Sequence, residues 1–238
     1  MSETIHSIVG SGLVLGGSAG FDGVDWDAVQ WPRFYDPKTD DFIHPRTRRR
    51  MSRLSCMAVR ATRMAGGLDA GDPTPLVFAT ANGEINTIGL ILDSLIDPDR
   101  SVSPTQFHNS VHNAGPGYWA ISSGRTAETT TISMGELSFE CALLDAWSRL
   151  TAGAPEIQVT AGDEAITGPA WAAPQHCTHD LCGSLRLVSG RVSGALGRLI
   201  HVGVRAVDDP EVAREALDGL VERFGPAEVV ADFSCSGG

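Results

Sequence analysis

Residues 129–147, TTTISMGELSFECALLDAW, read as a short strand, a tight turn and a helix, with Glu136 at the turn. α/β enzymes hold a nucleophile in such a place, at a helix start where the macrodipole and free backbone N–H groups favour an anion. Here the turn carries a carboxylate where acyl chemistry would use a thiol or hydroxyl. Acids are also common at solvated helix N-termini, where each contributes only about 0.3–1 kcal/mol. The surrounding sequence decides between these readings.

Working outward, strands are expected over 7–15, 76–81, 129–133, 156–161, 185–188, 199–207 and 228–233, each rich in Val, Ile, Leu or Thr. Helical periodicity runs over 48–65, with Met51, Leu54, Ala58, Ala61 and Ala65 on one stripe. It recurs over 86–95, 137–150 and 211–224. The last helix is the best delimited: Asp209 can cap it, Pro210 suits its first turn, and Gly225-Pro226 stops it. Its stripe of Val212, Ala216, Leu220 and Phe224 would bury against a sheet. Strands alternating with helices, several strands being continuous apolar runs, predict an α/β layered fold. Residues 163–184, DEAITGPAWAAPQHCTHDLCGS, read as an irregular bridge between two α/β portions.

A chain of 238 residues can form one large domain or two small ones, and 42% hydrophobic with 20% charged residues is an ordinary globular composition. The net charge of −11 argues against a nucleic-acid partner. No stretch reaches the ~18 apolar residues of a membrane span. The opening MSETIHSIVG lacks the basic flank and apolar run of a signal peptide, so a cytoplasmic location is expected. The charge is uneven. Residues 201–238 hold three Arg against eight Asp and Glu, whereas 46–53, RTRRRMSR, holds five Arg and no acid. That cluster is either the solvated face of a helix or a docking patch for an acidic partner. The five cysteines are odd in number and irregularly spaced, and are expected to be reduced.

Several short patterns carry residues capable of chemistry. Gly10, Gly12 and Gly16 follow a strand in a spacing one residue too long for a dinucleotide turn, and no ribose-binding acid is placed. His108 and His112 have the spacing that puts two imidazoles on one helix face, but Asn109 replaces the glutamate that metalloproteases place beside the first histidine. Residues 113–117, NAGPG, would break that helix, so packed or hydrogen-bonded histidines near a pocket are expected. His176, Cys177, His179 and Cys182 put four nitrogen or sulfur ligands in seven residues. A structural zinc site joins two separated ligand pairs, and no second pair exists, which favours chance clustering in a loop. Cys141, inside a helix, reads as a small core residue. Cys235, near the C-terminal end, could be exposed, and no base can be assigned to either thiol.

The order of these segments resembles the condensing enzymes of the thiolase fold, specifically the β-ketoacyl synthases. Residues 8–16 resemble their opening strand and Gly-rich turn, and 48–65 resemble their helix of the R-M-x-R-x-x-x-x-A-x-x-A type. Residues 77–83 resemble the strand leading to a glycine turn. SPTQFHNSVHNAGPGYW, 103–119, is similar to the stretch with Ser-Pro followed by Asn-Ala-x-x-Gly. EIQVTAGDEA, 156–165, is similar to the A-G-G-x-E-A strand and turn. In these enzymes T-V-S-T-A-C-A-S-G carries the nucleophilic cysteine. Laid on 131–139, TISMGELSF, that position falls on Glu136. The strand over 228–233 resembles the one before the first catalytic histidine, after which the sequence reads SCSGG to Gly238. The thiolate and both catalytic histidines are therefore expected to be absent.

The resemblance implies a thiolase-like layered αβαβα fold with a shortened C-terminal half: 1–165 as the N-terminal-half-like portion and 166–238 as the reduced C-terminal-half-like portion. A carboxylate at position 136 would give a hydrolysable anhydride and would repel the incoming malonyl carboxylate. The closer resemblance is thus to a chain-length factor, the inactive subunit paired with an active ketosynthase, of the compact kind found in aryl polyene and related polyene pathways. It implies a heterodimer with an active ketosynthase, an acyl carrier protein docking mainly on that partner, and no cofactor. The strand 129–133 would pair across the interface, which 110–122 and 137–150 would line. Phe107, His108, His112, Trp119, Met134, Glu136 and Phe139 are the tunnel and interface candidates. Two other classes stay open: a free-standing acyltransferase or hydrolase using Cys235 or Glu136, and a zinc-stabilised binding module built on 176–182.

Overall fold

Four consecutive buried residues, Leu76–Ala79, form the strand on which the architecture turns, because a strand covered on both faces needs apolar side chains at every position. In the computed structural model the described residues are 6–16, 41–66, 71–96, 101–135, 137–166, 180–193, 195–205 and 228–234. The elements run β1 (His6–Gly16), α1 (Pro45–Arg48), α2 (Arg53–Met64), β2 (Leu76–Ala79), α3 (Ile85–Ile96), α4 (Pro104–Asn109), α5 (Ala114–Ser123), β3 (Thr129–Ile132), α6 (Ser138–Thr151), β4 (Glu156–Asp163), β5 (Asp180–Ser189), β6 (Gly197–Arg205) and β7 (Glu228–Ser234). The strands form one mixed sheet in the order β3-β2-β4-β5-β1-β6-β7. β2 runs parallel to both β3 and β4, whereas β5 is antiparallel to β4 and to β1.

Alternation along the strands assigns the two faces. Leu76 and Phe78 join Leu54, Met57, Ala58 and Ala61 of α2 and Tyr118 and Trp119 of α5 in one core. Val77 and Ala79, with Ile157 and Val159 of β4, join Ala142, Leu143, Ala146 and Leu150 of α6 in the other. The result is an αβα sandwich, and β6 and β7 extend the same sheet rather than starting a second one. The α2 face also buries a hydroxyl chain. Thr62 Oγ1 lies 2.7 Å from Thr160 Oγ1, Thr160 donates to Ser184 Oγ at 2.8 Å, and the Gln158 amide donates to Thr62 O at 2.6 Å. Polar groups this deep are tolerated because they find partners.

The structure corrects three expectations. The helix expected over 48–65 is split into α1 and α2, because Ser52 accepts a hydrogen bond from the Ser55 N–H and so caps a new start. Met51 therefore falls in the break, from which it still packs against the core that holds Leu54, Ala58 and Ala61. The stretch 113–117 does not end a helix; the break lies earlier, over 110–113, and AGPGYWAISS is itself α5. Pro116 sits in the first turn, where its missing N–H costs nothing, and Gly115 lies so close to Ala58 Cβ and the Phe78 ring that a Cβ there would be 3.4 Å from each. Finally, the irregular bridge does not extend to 184: β5 begins at Asp180. The helix expected over 211–224 lies outside the described residues, as do the tip of the bridge and its residues His176, Cys177 and His179.

Candidate functional site

The carboxyl ends of the parallel strands β2, β3 and β4 point the same way, which is where open α/β sheets place their chemistry. After β3 the chain turns through Met134 and Gly135, whose φ of +60° suits a residue without a Cβ. Ser138, buried at the start of α6, accepts from the Met134 N–H at 2.9 Å, and its hydroxyl lies 2.6 Å from Gly135 O and 3.1 Å from Thr80 O. One side chain thus closes the turn and ties it to the end of β2. Glu136 lies outside the described residues. Met134 is 59% exposed and Phe139 and Leu144 are 37% exposed, so the ground around this turn is apolar and open. Beside it β3 is the edge strand of the sheet.

The turns after β2 and β4 are built differently. Asp163 accepts from the Thr80 hydroxyl at 2.8 Å and from the backbone N–H groups of Ala81 and Asn82 at 3.0 and 2.8 Å. Thr80 Oγ in turn accepts from the Gly83 N–H. Glu84 is buried and accepts from Ser52 Oγ at 2.6 Å, Ser55 Oγ at 3.0 Å and Thr87 Oγ at 3.2 Å, binding the starts of α2 and α3 together. Glu164 and Asp180 are buried beside it, and Asp180 pairs with Arg53 and accepts from the Ala165 N–H. Burial, followed by the charges of Glu84 and Asp180, pushes the Glu164 carboxyl up to about 7. Burial also raises Glu84, against its three hydroxyl donors. A cavity of about 300 Å³ opens over this cluster, lined by Arg49, Arg50, Ser52, Arg53, Thr105 and Glu164 among others.

The residues singled out in the sequence are not all brought together. Phe107 is 69% exposed on α4, where His108 is also exposed and meets Tyr118 edge-on. His112 follows in the connection to α5, so the two histidines do not share a helix face. The His112 ring lies against Gly83, where a Cβ would be 2.5 Å from Nδ1. Trp119 is 3% exposed and packs with Phe42 inside the chain's own core. Cys182 is fully buried in that core, and burial pushes its thiol pKa far up; it leaves the four-ligand loop for a strand facing α2. Cys141 is partly buried, and Cys235 lies outside the described residues. The acidic cluster was missed in the sequence, although Glu164 stands within the quoted AGDEA turn and Glu84 directly after the Gly83 turn.

These turns lie within a region that a family model covers. The model for the beta-ketoacyl synthase N-terminal domain matches residues 24–189. The chain belongs to this family. Among solved structures, this ketosynthase-family chain is similar to a ketosynthase (ApeO) in complex with its chain length factor (ApeC) from Xenorhabdus doucetiae, at 23% identity, over 79% of both chains, with a TM-score of 0.59. It is similar to the ishigamide ketosynthase/chain length factor at 18% identity and a TM-score of 0.61, over 80% of this chain but only 63% of that one. The AntDE:AntF complex, a type II PKS acyl-carrier protein with its ketosynthase, is similar at 16% identity over 93% of this chain and 75% of that one, with a TM-score of 0.64. At these identities the likeness is one of fold, and that fold is the thiolase-like one of ketosynthases. No curated protein matches the sequence. Among the described residues, no helix is long and apolar enough to cross a membrane.

Proposed function

We propose that this chain is a non-catalytic chain-length factor that pairs with an active β-ketoacyl synthase and shapes the tunnel holding the growing acyl chain. The observation that carries this reading is the residue at position 136. The family's nucleophile pattern, laid on 131–139, puts glutamate where the acyl-accepting cysteine belongs. A carboxylate there holds no acyl group stably against water. The surrounding turn is shaped by Gly135 at positive φ and closed by Ser138. A turn without the sulfur suits a subunit whose value is its shape.

The exposed surface supports a partner. β3 is a sheet edge, and Met134, Phe139 and Leu144 stand exposed around the adjoining turn and helix. Pairing β3 and covering these side chains with a ketosynthase would remove both liabilities. Phe107, His108, His112, Met134, Glu136 and Phe139 are the proposed seam and tunnel residues; Trp119 would act through the core that supports α5. Each buried CH₂ of a growing chain gains ~0.8 kcal/mol until a side chain blocks it, so bulk at the tunnel end sets the length. Carrier protein would dock mainly on the ketosynthase, with 46–53 the one basic exception on an acidic, cytoplasmic subunit.

Co-expression with a candidate ketosynthase tests the reading. The two chains should co-elute, and Phe107→Ala, Met134→Ala or Phe139→Ala should lengthen the products of the reconstituted pair. Acyl-thioester turnover or a covalently loaded intermediate on the isolated chain would instead favour a free-standing acyltransferase.

A further inference from the structure

The cavity over the Glu84, Glu164 and Asp180 cluster sets three arginines and a buried carboxyl beside apolar Met51 and Leu90. Exposed Arg49, Arg50 and Arg53 line it from the connection between α1 and α2 and from the start of α2, and buried Glu164 lines it from the end of β4. Arg49 and Arg50 form no ion pair among the described residues, whereas Arg53 pairs with Asp180. The Arg50 carbonyl is held by the Asn109 amide at 2.6 Å and the Tyr118 hydroxyl at 2.9 Å, so this arginine-bearing connection is anchored on α4 and α5. The cavity is therefore built, and the charges of Arg49 and Arg50 are not offset by an ion pair among the described residues.

We propose that this cavity binds a tetrahedral oxyanion, the chemistry of a phosphoester or sulfate group, and that binding is coupled to proton uptake by Glu164. The charged and polar groups facing Glu164 are Glu84 just before α3, Asn86 of α3, Asp180 of β5 and Arg53 of α2, with Arg49 and Arg50 across the cavity. α4 contributes only uncharged Thr105, Gln106 and Asn109. When Glu164 is ionised, a dianion entering the cavity meets a carboxylate on its wall, with two more buried behind it. When Glu164 is protonated, that charge is gone and an O–H donor can face the ligand, leaving the Arg49 and Arg50 guanidinium groups unopposed by that wall. Because Glu164 titrates at about 7, this exchange falls in the neutral range. Coupling is reciprocal: an anion that prefers the protonated state must raise the proton affinity of Glu164 by the same factor. This inference stands independently of the chain-length reading.

Sulfate, which stays a dianion between pH 6 and 8, is the probe. Calorimetric titration of the full chain at constant ionic strength should show affinity falling at least about fivefold from pH 6 to pH 8, a typical coupling between linked sites. Glu164→Gln should bind at the pH 6 level throughout, and the double variant Arg49→Ala/Arg50→Ala should lose binding at both pH values. Near pH 7, wild-type titrations in two buffers of different ionisation enthalpy should report net proton uptake for each sulfate bound. That measurement needs no variant, so it decides even if Glu164→Gln folds poorly. Equal affinity at the two pH values, zero proton uptake, or a pH dependence that survives in Glu164→Gln, would overturn the proposal.

Discussion

Two sets of turns at the same end of one sheet have opposite characters. The turn after β3 is apolar and open: Met134 and Phe139 are exposed, and the strand leading into it is a sheet edge. The turns after β2 and β4 are polar and closed, with Asp163 and Glu84 collecting donors from Thr80, Ala81, Asn82, Ser52, Ser55 and Thr87. Buried polar groups demand partners within the chain, whereas exposed apolar ones gain most from a partner outside it. The polar, closed region holds this molecule together, and the apolar, open one is where another molecule would fit.

Substitutions should separate the two regions, the largest effect coming from the closed side. Asp163→Ala orphans two backbone N–H groups and the Thr80 hydroxyl, and should lower unfolding free energy by about 3–5 kcal/mol in chemical denaturation. A loss under about 1 kcal/mol would show that water replaces the carboxylate and that this turn is not closed. Glu164 comes next. Its folded pKa of about 7 lies above the ordinary 4.5, so the folded state holds the proton more tightly than the unfolded chain. That stabilisation is fully present below pH 4.5 and is lost as pH rises through 7, a change on the order of 3 kcal/mol. Stability of the wild type relative to Glu164→Gln should therefore decline between pH 4.5 and 8; a flat difference would mean the cluster is hydrated.

Ser138→Ala, at the boundary between the regions, removes the side chain joining the Met134 N–H to the end of β2 and should cost about 1–2 kcal/mol. On the open side, Met134→Asp and Phe139→Asp should change the stability of the isolated chain by no more than about 0.5 kcal/mol. The same variants should weaken association with a ketosynthase at least about tenfold, as truncation of an interface anchor does. Unaltered association, measured by co-elution or surface binding, would move the interface elsewhere.

The strands and most long helices were legible in the sequence because their periodicities, two and 3.6, follow from local geometry. Ile85–Ile96 and Ser138–Thr151 lie within a residue of where the pattern of apolar positions puts them. α5 was not legible, because Gly115, Pro116 and Gly117 are poor helix formers; packing of Gly115 against Ala58 and Phe78 overrides that propensity. The first half of β5 was hidden for a similar reason: Cys182 and Ser184 do not look like core residues until α2 covers them. Of the candidate site, the turn around position 136 was visible as a local pattern, while Trp119 proved to be core.

What sequence alone established is thus local: a strand, a turn and a helix, read from the periodicity of apolar side chains. The meeting of Glu84, Glu164, Asp180 and Arg53 required the folded chain. Those residues come from four separate segments, and their charges perturb one another only once parallel and antiparallel strand pairing has excluded the water between them. Pair electrostatics depends on distance and dielectric, and neither can be read from a string of letters.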